Sequence, residues 1–169
     1  MKVKVFENFF PAHKAKTTED VCVDDLIWTF HKQKVYNYKR KPDDLSDYQF
    51  THMFYFRDRS KFYNLIIPIM DEVNKITTSG AIRRIKANLE PYNSERRYSE
   101  FHTDYDHNPN MNVGIYYVNT CDGYTEFEDG DKIESVQNRF IWFPNTEKHR
   151  GVSQTNSKYR IVINFNWFS

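Results

Sequence analysis

Cysteine is scarce in this 169-residue chain: Cys22 and Cys121 are the only two. Two thiols cannot build a disulfide framework, and they point to a reducing compartment, the cytoplasm. Five glycines and six prolines exclude a fibrous or low-complexity chain. Long apolar runs are missing too. The longest, Leu65–Met70 (LIIPIM), is too short to span a bilayer and contains a proline, so no membrane association is expected. The opening MKVKVFENFF mixes charges with aromatics and has no apolar stretch of the kind a secretory leader needs. A net charge of +1 gives no global attraction to nucleic acid or acidic membranes.

What the chain does have is aromatic mass. Fourteen Phe and twelve Tyr supply a sizeable core for one domain spanning 1–169, despite a mean hydropathy of −0.81. Charge is unevenly spread. Residues 1–86 hold 16 Lys and Arg against 11 Asp and Glu, and residues 87–169 hold 8 against 12. The basic runs RDRSK and RRIK belong to the first part, and such runs are usually solvated faces.

Two regions differ in period. In residues 1–81, a stripe of Phe62, Ile66, Ile69, Val73 and Ile76 predicts a helix starting from Ser60, with Pro68 kinking it or marking a second start. A shorter helix is expected from Thr18, and QFTHMFYF (49–56) reads as a strand. KRKP (39–42) and the DDLSD after it look like an exposed connection. Residues 82–169 break into short β segments separated by Asp122-Gly123, Asp129-Gly130 and Pro144-Asn145. Among those segments are IRRIKANL, EFHTD, MNVGIYYVN, RFIWFP and YRIVINFNWF. Such spacing indicates a sandwich, barrel or jelly roll. The fold class is therefore mainly β with N-terminal helices (α+β).

The segment FHTDYDHNPN (101–110) concentrates imidazoles and carboxylates. If it is a strand, His102 and Asp104 share a face. Two such neighbours cannot close a metal site, and His149, forty-five residues after Asp104, is the candidate third ligand. Two histidines and one carboxylate suit non-haem Fe(II), which keeps open positions for a co-substrate and oxygen. Zinc also accepts this set. Asp106 and His107 read as solvated loop residues, and His13, His31 and His52 as ordinary surface or core histidines. Arg160, eleven residues past His149, begins an alternating strand in which Arg160, Val162, Asn164 and Asn166 share one face. Ile161, Ile163 and Phe165 take the other. An arginine on a strand face beside a metal suits a carboxylate partner, which its guanidinium fork can hold through two bonds.

His102-Thr103-Asp104, YYVNTCDGYTEFEDG, His149 and Arg160 together resemble the Fe(II)- and 2-oxoglutarate-dependent dioxygenases of the double-stranded β-helix (jelly-roll, cupin-like) fold. GYTEF resembles a segment of the prolyl-4-hydroxylase-like members. RIKANL, FHTD and YYVN are similar to small stand-alone members carried by marine bacteriophages, which implies a host cytoplasm. The resemblance covers about residues 82–169 as catalytic core, with 1–81 as support. It implies that His102, Asp104 and His149 hold iron as the catalytic set. It also implies that Arg160 binds the distal carboxylate of 2-oxoglutarate, that O2 is consumed, and that ascorbate serves as reductant in assay. Some relatives add an Asn-x-Tyr pair; here Asn88 matches, the third position is Glu90, and Tyr92 or Tyr116 (or Tyr117) is left to substitute. The expected reaction hydroxylates a primary substrate and releases succinate and CO2. A prolyl or other amino-acid side chain of a peptide or protein, or a small molecule, comes first as substrate, and a nucleobase in nucleic acid second. A cupin-like module that binds metal or sugar without turnover is the other class.

Overall fold

A computed structural model describes residues 3–32, 48–77, 80–105 and 107–168. The KRKP connection, the DDLSD after it and Asp106 lie outside these residues. In chain order the elements begin with β1 (Lys4–Phe6), α1 (Ala12–Asp24), β2 (Thr29–His31), β3 (Gln49–Phe56) and β4 (Asp58–Arg59). A 3₁₀ turn (Tyr63–Ile66) leads into α2 (Ile67–Ile76). Then follow β5 (Ile82–Pro91), β6 (Met111–Tyr117), β7 (Tyr124–Phe127), β8 (Lys132–Glu134), β9 (Arg139–Pro144), β10 (His149–Val152) and β11 (Tyr159–Phe168).

Two antiparallel sheets face each other as a jelly roll. The larger has the order β1-β9-β6-β11-β5-β3-β2, with β4 paired to β3, and the smaller is β10-β7-β8. The N-terminal segment thus donates strands to the same sheet as residues 82–168. Among the described residues, no helix is long and apolar enough to cross a membrane.

Alternation along β11 sorts its side chains between two cores. Ile161, Ile163, Phe165 and Trp167 are buried on the outer face, where Ala15 and Cys22 of α1 and Ile69 and Val73 of α2 cover them. Val162 faces inward and packs with Val113, Ile115, Tyr117, Phe127, Ile141 and Phe143 between the sheets. All seven residues of β6 are buried, because both of its faces are covered.

Local starts follow from proline. α1 begins right after Pro11, a turn and a half before the expected Thr18, whose hydroxyl instead donates to Lys14 O inside the helix. Pro68 sits in the first turn of α2, where its missing N–H costs nothing, so the apolar stripe splits into a 3₁₀ turn and a separate helix. The expected EFHTD strand does not form. His102 makes only an isolated bridge to His149, and Asp104 lies in a bend.

Phe140 ties the N-terminus to this core. Its ring stacks on Phe9 at 4.4 Å and meets Phe6 and Phe165 at 6.4 and 6.1 Å. Phe140→Ala should therefore cost about 3–5 kcal/mol of unfolding free energy. Urea denaturation checks this, and a loss below about 1 kcal/mol would mean the site collapses without a cavity.

Candidate active site

Two segments far apart in sequence meet through a pair of main-chain bonds. His102 N donates to His149 O and His149 N donates to His102 O, each at 3.0 Å. This bridge sets the two imidazoles 4.8 Å apart, centre to centre. Each ring's Nδ1 faces a backbone carbonyl, Glu100 O at 3.0 Å for His102 and Glu147 O at 3.4 Å for His149. A proton on Nδ1 donates there and leaves Nε2 with a free lone pair. Both Nε2 atoms approach Asp104 Oδ1, at 3.8 and 4.0 Å, and all three ligand atoms lie within 4.8 Å of one another. They are close enough to gather on one ion, as the two-histidine, one-carboxylate set requires.

The other Asp104 oxygen is already engaged. Asn166 Nδ2 donates to Oδ2 at 2.6 Å, and Arg84 Nη2 approaches it at 3.4 Å. The backbone is held as well, since Asp104 N donates to Asn145 Oδ1 at 3.1 Å. Burial pushes the Asp104 carboxyl up, but His149, Arg84, His102 and the Asn166 amide outweigh it and leave it below the usual carboxylate range. Burial also pushes His149 down to about 4, against the pull of Asp104. Phe143 and Phe127 supply that dry surround, at 4.9 and 6.2 Å from the ring. The carboxylate is thus charged and His149 neutral at physiological pH, the forms in which both ligate.

A cavity of about 90 Å³ opens beside the triad. Its wall is the inner face of β5 and β11, where Glu90, Asn88, Lys86 and Arg84 stand in register with Arg160, Val162, Asn164 and Asn166. Arg160 lines the cavity and is only 4% exposed. Its Nη2 donates to Thr125 Oγ1 at 3.4 Å, while Nε has no hydrogen-bond partner among the described residues. The same holds for Asn88 Oδ1 and Asn164 Oδ1. Gly123 makes room for the arginine, because a methyl group there would lie 2.6 Å from Arg160 Cδ and 3.0 Å from Val152 O. A buried guanidinium with an open N–H, across a cavity from three metal-type ligands, fits a dicarboxylate chelated at one end.

The structure brings His102, Asp104, His149, Arg160 and Asn88 to this cavity and keeps two expected residues out. Tyr116 points to the outer face, edge-on to Phe10 at 5.4 Å, with burial pushing its phenol up. Alternation on β6 puts Tyr117 inside instead. Its hydroxyl donates to Thr125 Oγ1 at 2.8 Å and its ring lies 5.8 Å from the Arg160 guanidinium. Tyr92 lies beyond the end of β5, with its N–H bonded to Lys158 O and its side chain 56% exposed. His107 is exposed in the loop, and His52 is an ordinary buried histidine bonded to Ile27 O. Thr125 and Lys86 are cavity residues that motif reading passed over. Counting every second residue from Asn88 finds Lys86.

No protein-family model and no curated protein matches the chain. Solved structures do. A Trichoplax adhaerens prolyl hydroxylase, in complex with a hypoxia-inducible-factor peptide fragment, matches with a TM-score of 0.70 at 12% identity, covering 99% of this chain and 83% of that one. A 2OG-Fe(II) oxygenase family oxidoreductase from Burkholderia pseudomallei matches at 0.67 and 10% identity, covering 99% and 85%. A non-haem alpha-ketoglutarate-dependent epimerase of nogalamycin biosynthesis matches at 0.68 and 6%, covering 99% and 76%. The fold is that of the 2-oxoglutarate–Fe(II) oxygenases. At these identities the likeness is one of fold, and the fold alone spans hydroxylation and epimerisation.

His149 carries a pH dependence with a definite sign. An unfolded histidine takes up its proton near about 6.5, and the folded one only near about 4. Between these values the unfolded chain binds more protons, so metal-free stability falls as pH drops through the window. The contribution is at most about 3 kcal/mol. The wild-type loss in urea midpoint from pH 7 to pH 4.5 should exceed that of His149→Asn. Equal losses would show that His149 does not fold in its neutral form.

Proposed function

We propose that this protein is an Fe(II)- and 2-oxoglutarate-dependent dioxygenase that hydroxylates a prolyl or other amino-acid side chain of a peptide. The observation that carries the reading is the buried Arg160 lining the same cavity as His102, Asp104 and His149, with an Nε that has no hydrogen-bond partner among the described residues. A non-catalytic module that held only a metal would have no use for a buried, incompletely bonded guanidinium, which is costly unless an anion completes it.

His102 Nε2, His149 Nε2 and Asp104 Oδ1 would hold Fe(II), and Arg160 with Thr125 would hold the distal carboxylate of 2-oxoglutarate. When bound, the metal and keto acid supply the oxidative chemistry that consumes O2, releases succinate and CO2 and adds oxygen to the substrate. The chain's own work is positioning and exclusion. Arg84 and Asn166 engage Oδ2 of Asp104, so Oδ1 is the oxygen turned toward the histidines. The two backbone carbonyls keep the ring protons away from the metal side. Phe127, Phe143, Ile115 and Val162 keep the inner wall dry, which strengthens every charge contact there. Tyr117 and Thr125 brace the arginine.

The peptide reading draws support from the Trichoplax neighbour, a prolyl hydroxylase in complex with a peptide fragment. The free cysteines support a cytoplasmic setting, and burial pushes the Cys22 thiol up to about 12, where it stays protonated.

The purified chain with Fe(II), ascorbate and 2-oxoglutarate should release succinate, slowly without a primary substrate. His102→Ala and Asp104→Ala should each abolish this and lower bound iron to background; wild-type iron content in either variant would reject the triad.

Arg160→Lys keeps the charge and loses the fork. Charge-assisted hydrogen bonds are worth roughly 1.5–3 kcal/mol, so 2-oxoglutarate should bind about tenfold or more weakly. Iron should bind unchanged. Anaerobic titration of Fe(II) protein, read by the absorption band of a chelated keto acid, measures both. An unchanged affinity would make Arg160 structural, and a wild type without the band would favour the binding module.

A further inference from the structure

One cluster outside the triad and the Arg160 subsite is built from arginine and aromatic rings. Arg57, in the turn between β3 and β4, lies over Phe56 at 5.6 Å. Arg83 of β5 lies over the same ring at 5.1 Å and over Tyr105 at 5.7 Å. Arg84 lies over Tyr105 at 5.2 Å and reaches Asp104. The result is a continuous ladder from the β3–β4 turn to the metal triad, with guanidinium and ring alternating. Lys86, next on the inner face of β5, extends it into the cavity wall.

Among the described residues, Arg57, Arg83 and Lys86 make no ion pair, and neither do the neighbouring Arg59 and Lys61. Elsewhere on the surface, cations find carboxylates: Lys16 with Asp20, Arg96 with Asp122, Arg139 with Glu7 and Lys148 with Glu128. A solvated face would show the same mixing. Stacking on a ring restrains a guanidinium in advance and, at Arg57 and Arg83, leaves an N–H edge for a bidentate anion, whereas the Nε–Nη2 edge of Arg84 is taken by Asn166 and Asp104. Lys86 is pushed down to about 8 by burial and by Arg84, so an anion beside it would also relieve an existing strain on its charge.

We propose that the ladder of Arg57, Arg83 and Arg84, continued by Lys86, is a docking track for an acidic segment of the peptide substrate. The track leads the residue to be modified toward the triad. This rests on the oxygenase reading and adds its substrate class. Side chains on one face of an extended peptide recur at a regular interval, and Arg57, Arg83 and Arg84, strung along Phe56 and Tyr105, offer such a peptide successive cations. A nucleic-acid strand fits less well. Bases bind by stacking on open aromatic faces, and here each ring already carries two cations. Aspartate and glutamate need only the N–H forks that remain.

The probe is a fluorescein-labelled twelve-residue peptide with aspartate at alternate positions around one proline. It is compared with its asparagine version and with a labelled twelve-nucleotide oligothymidylate. Anisotropy is read on the full chain. The acidic peptide should bind at least tenfold more tightly than the asparagine version at low salt, and should weaken as salt rises. Arg57→Gln with Arg83→Gln should bring it close to the asparagine level. Both arginines are exposed, so the fold should survive, and circular dichroism checks that. A charge-matched control on α1, Lys14→Gln with Lys16→Gln, should leave binding within twofold of wild type. His102→Ala should also bind normally, so a failed oxygenase reading and a failed track are told apart. Equal binding of the two peptides, or no loss in the double arginine variant, overturns the proposal. Tighter binding of the oligothymidylate than of the acidic peptide overturns it as well and assigns the surface to nucleic acid.

Discussion

The pairing of β11 with β5 and β6 is the constraint on which the rest depends. One face of β11 supplies Ile161, Ile163 and Phe165 to the core under the helices, and the other supplies Arg160 and Asn164 to the cavity and Asn166 to Asp104. A slip of one residue would exchange the two sets, burying an arginine and two asparagines among Phe140, Ile69 and Val73. The fold and the candidate site are therefore specified by the same alternation. The register also explains Arg84 and Lys86, which stand opposite Asn166 and Asn164 and so inherit the inner face.

Electrostatically the site is a set of groups that make one another tolerable. Asp104 is buried, which alone would favour its neutral form, yet Arg84 and the Asn166 amide sit on the oxygen turned away from the histidines. His149 is buried and neutral because the Phe127 and Phe143 side excludes water. Arg160 is the reverse case, a buried cation whose Nε finds no acceptor among the described residues. That contrast separates the groups completed by the chain from those left for a ligand.

Much of this was legible before any coordinates. β9 and β11 begin and end where RFIWFP and YRIVINFNWF do, because the first is a short apolar stretch and the second alternates apolar with polar residues, each bounded by turn residues. The metal-type residues stood out because His102, Asp104 and His149 match the ligand set of one known chemistry. Three things were not legible. β1, β2 and β4 are two or three residues long, too short to show a pattern; β1 and β2 are strands only through partners distant in sequence, and β4 through a tight return onto β3. The reason His102 and Asp104 converge is a bridge to His149, not a local strand, and no local pattern encodes it. The choice between Tyr116 and Tyr117 turns on which face of β6 looks inward, and alternation gives two faces without naming either.

The strand order has a kinetic consequence. β11 sits between β5 and β6, and β1 pairs with β9, more than 130 residues downstream. Until β11 emerges from the ribosome, β5 and β6 each present an unpaired edge and the helices have half of their core. Such non-local closure is slow and leaves edges open to other chains. Assembly should therefore be limited by the arrival and docking of that central strand, and the metal pocket, whose wall it forms, should be among the last features to mature.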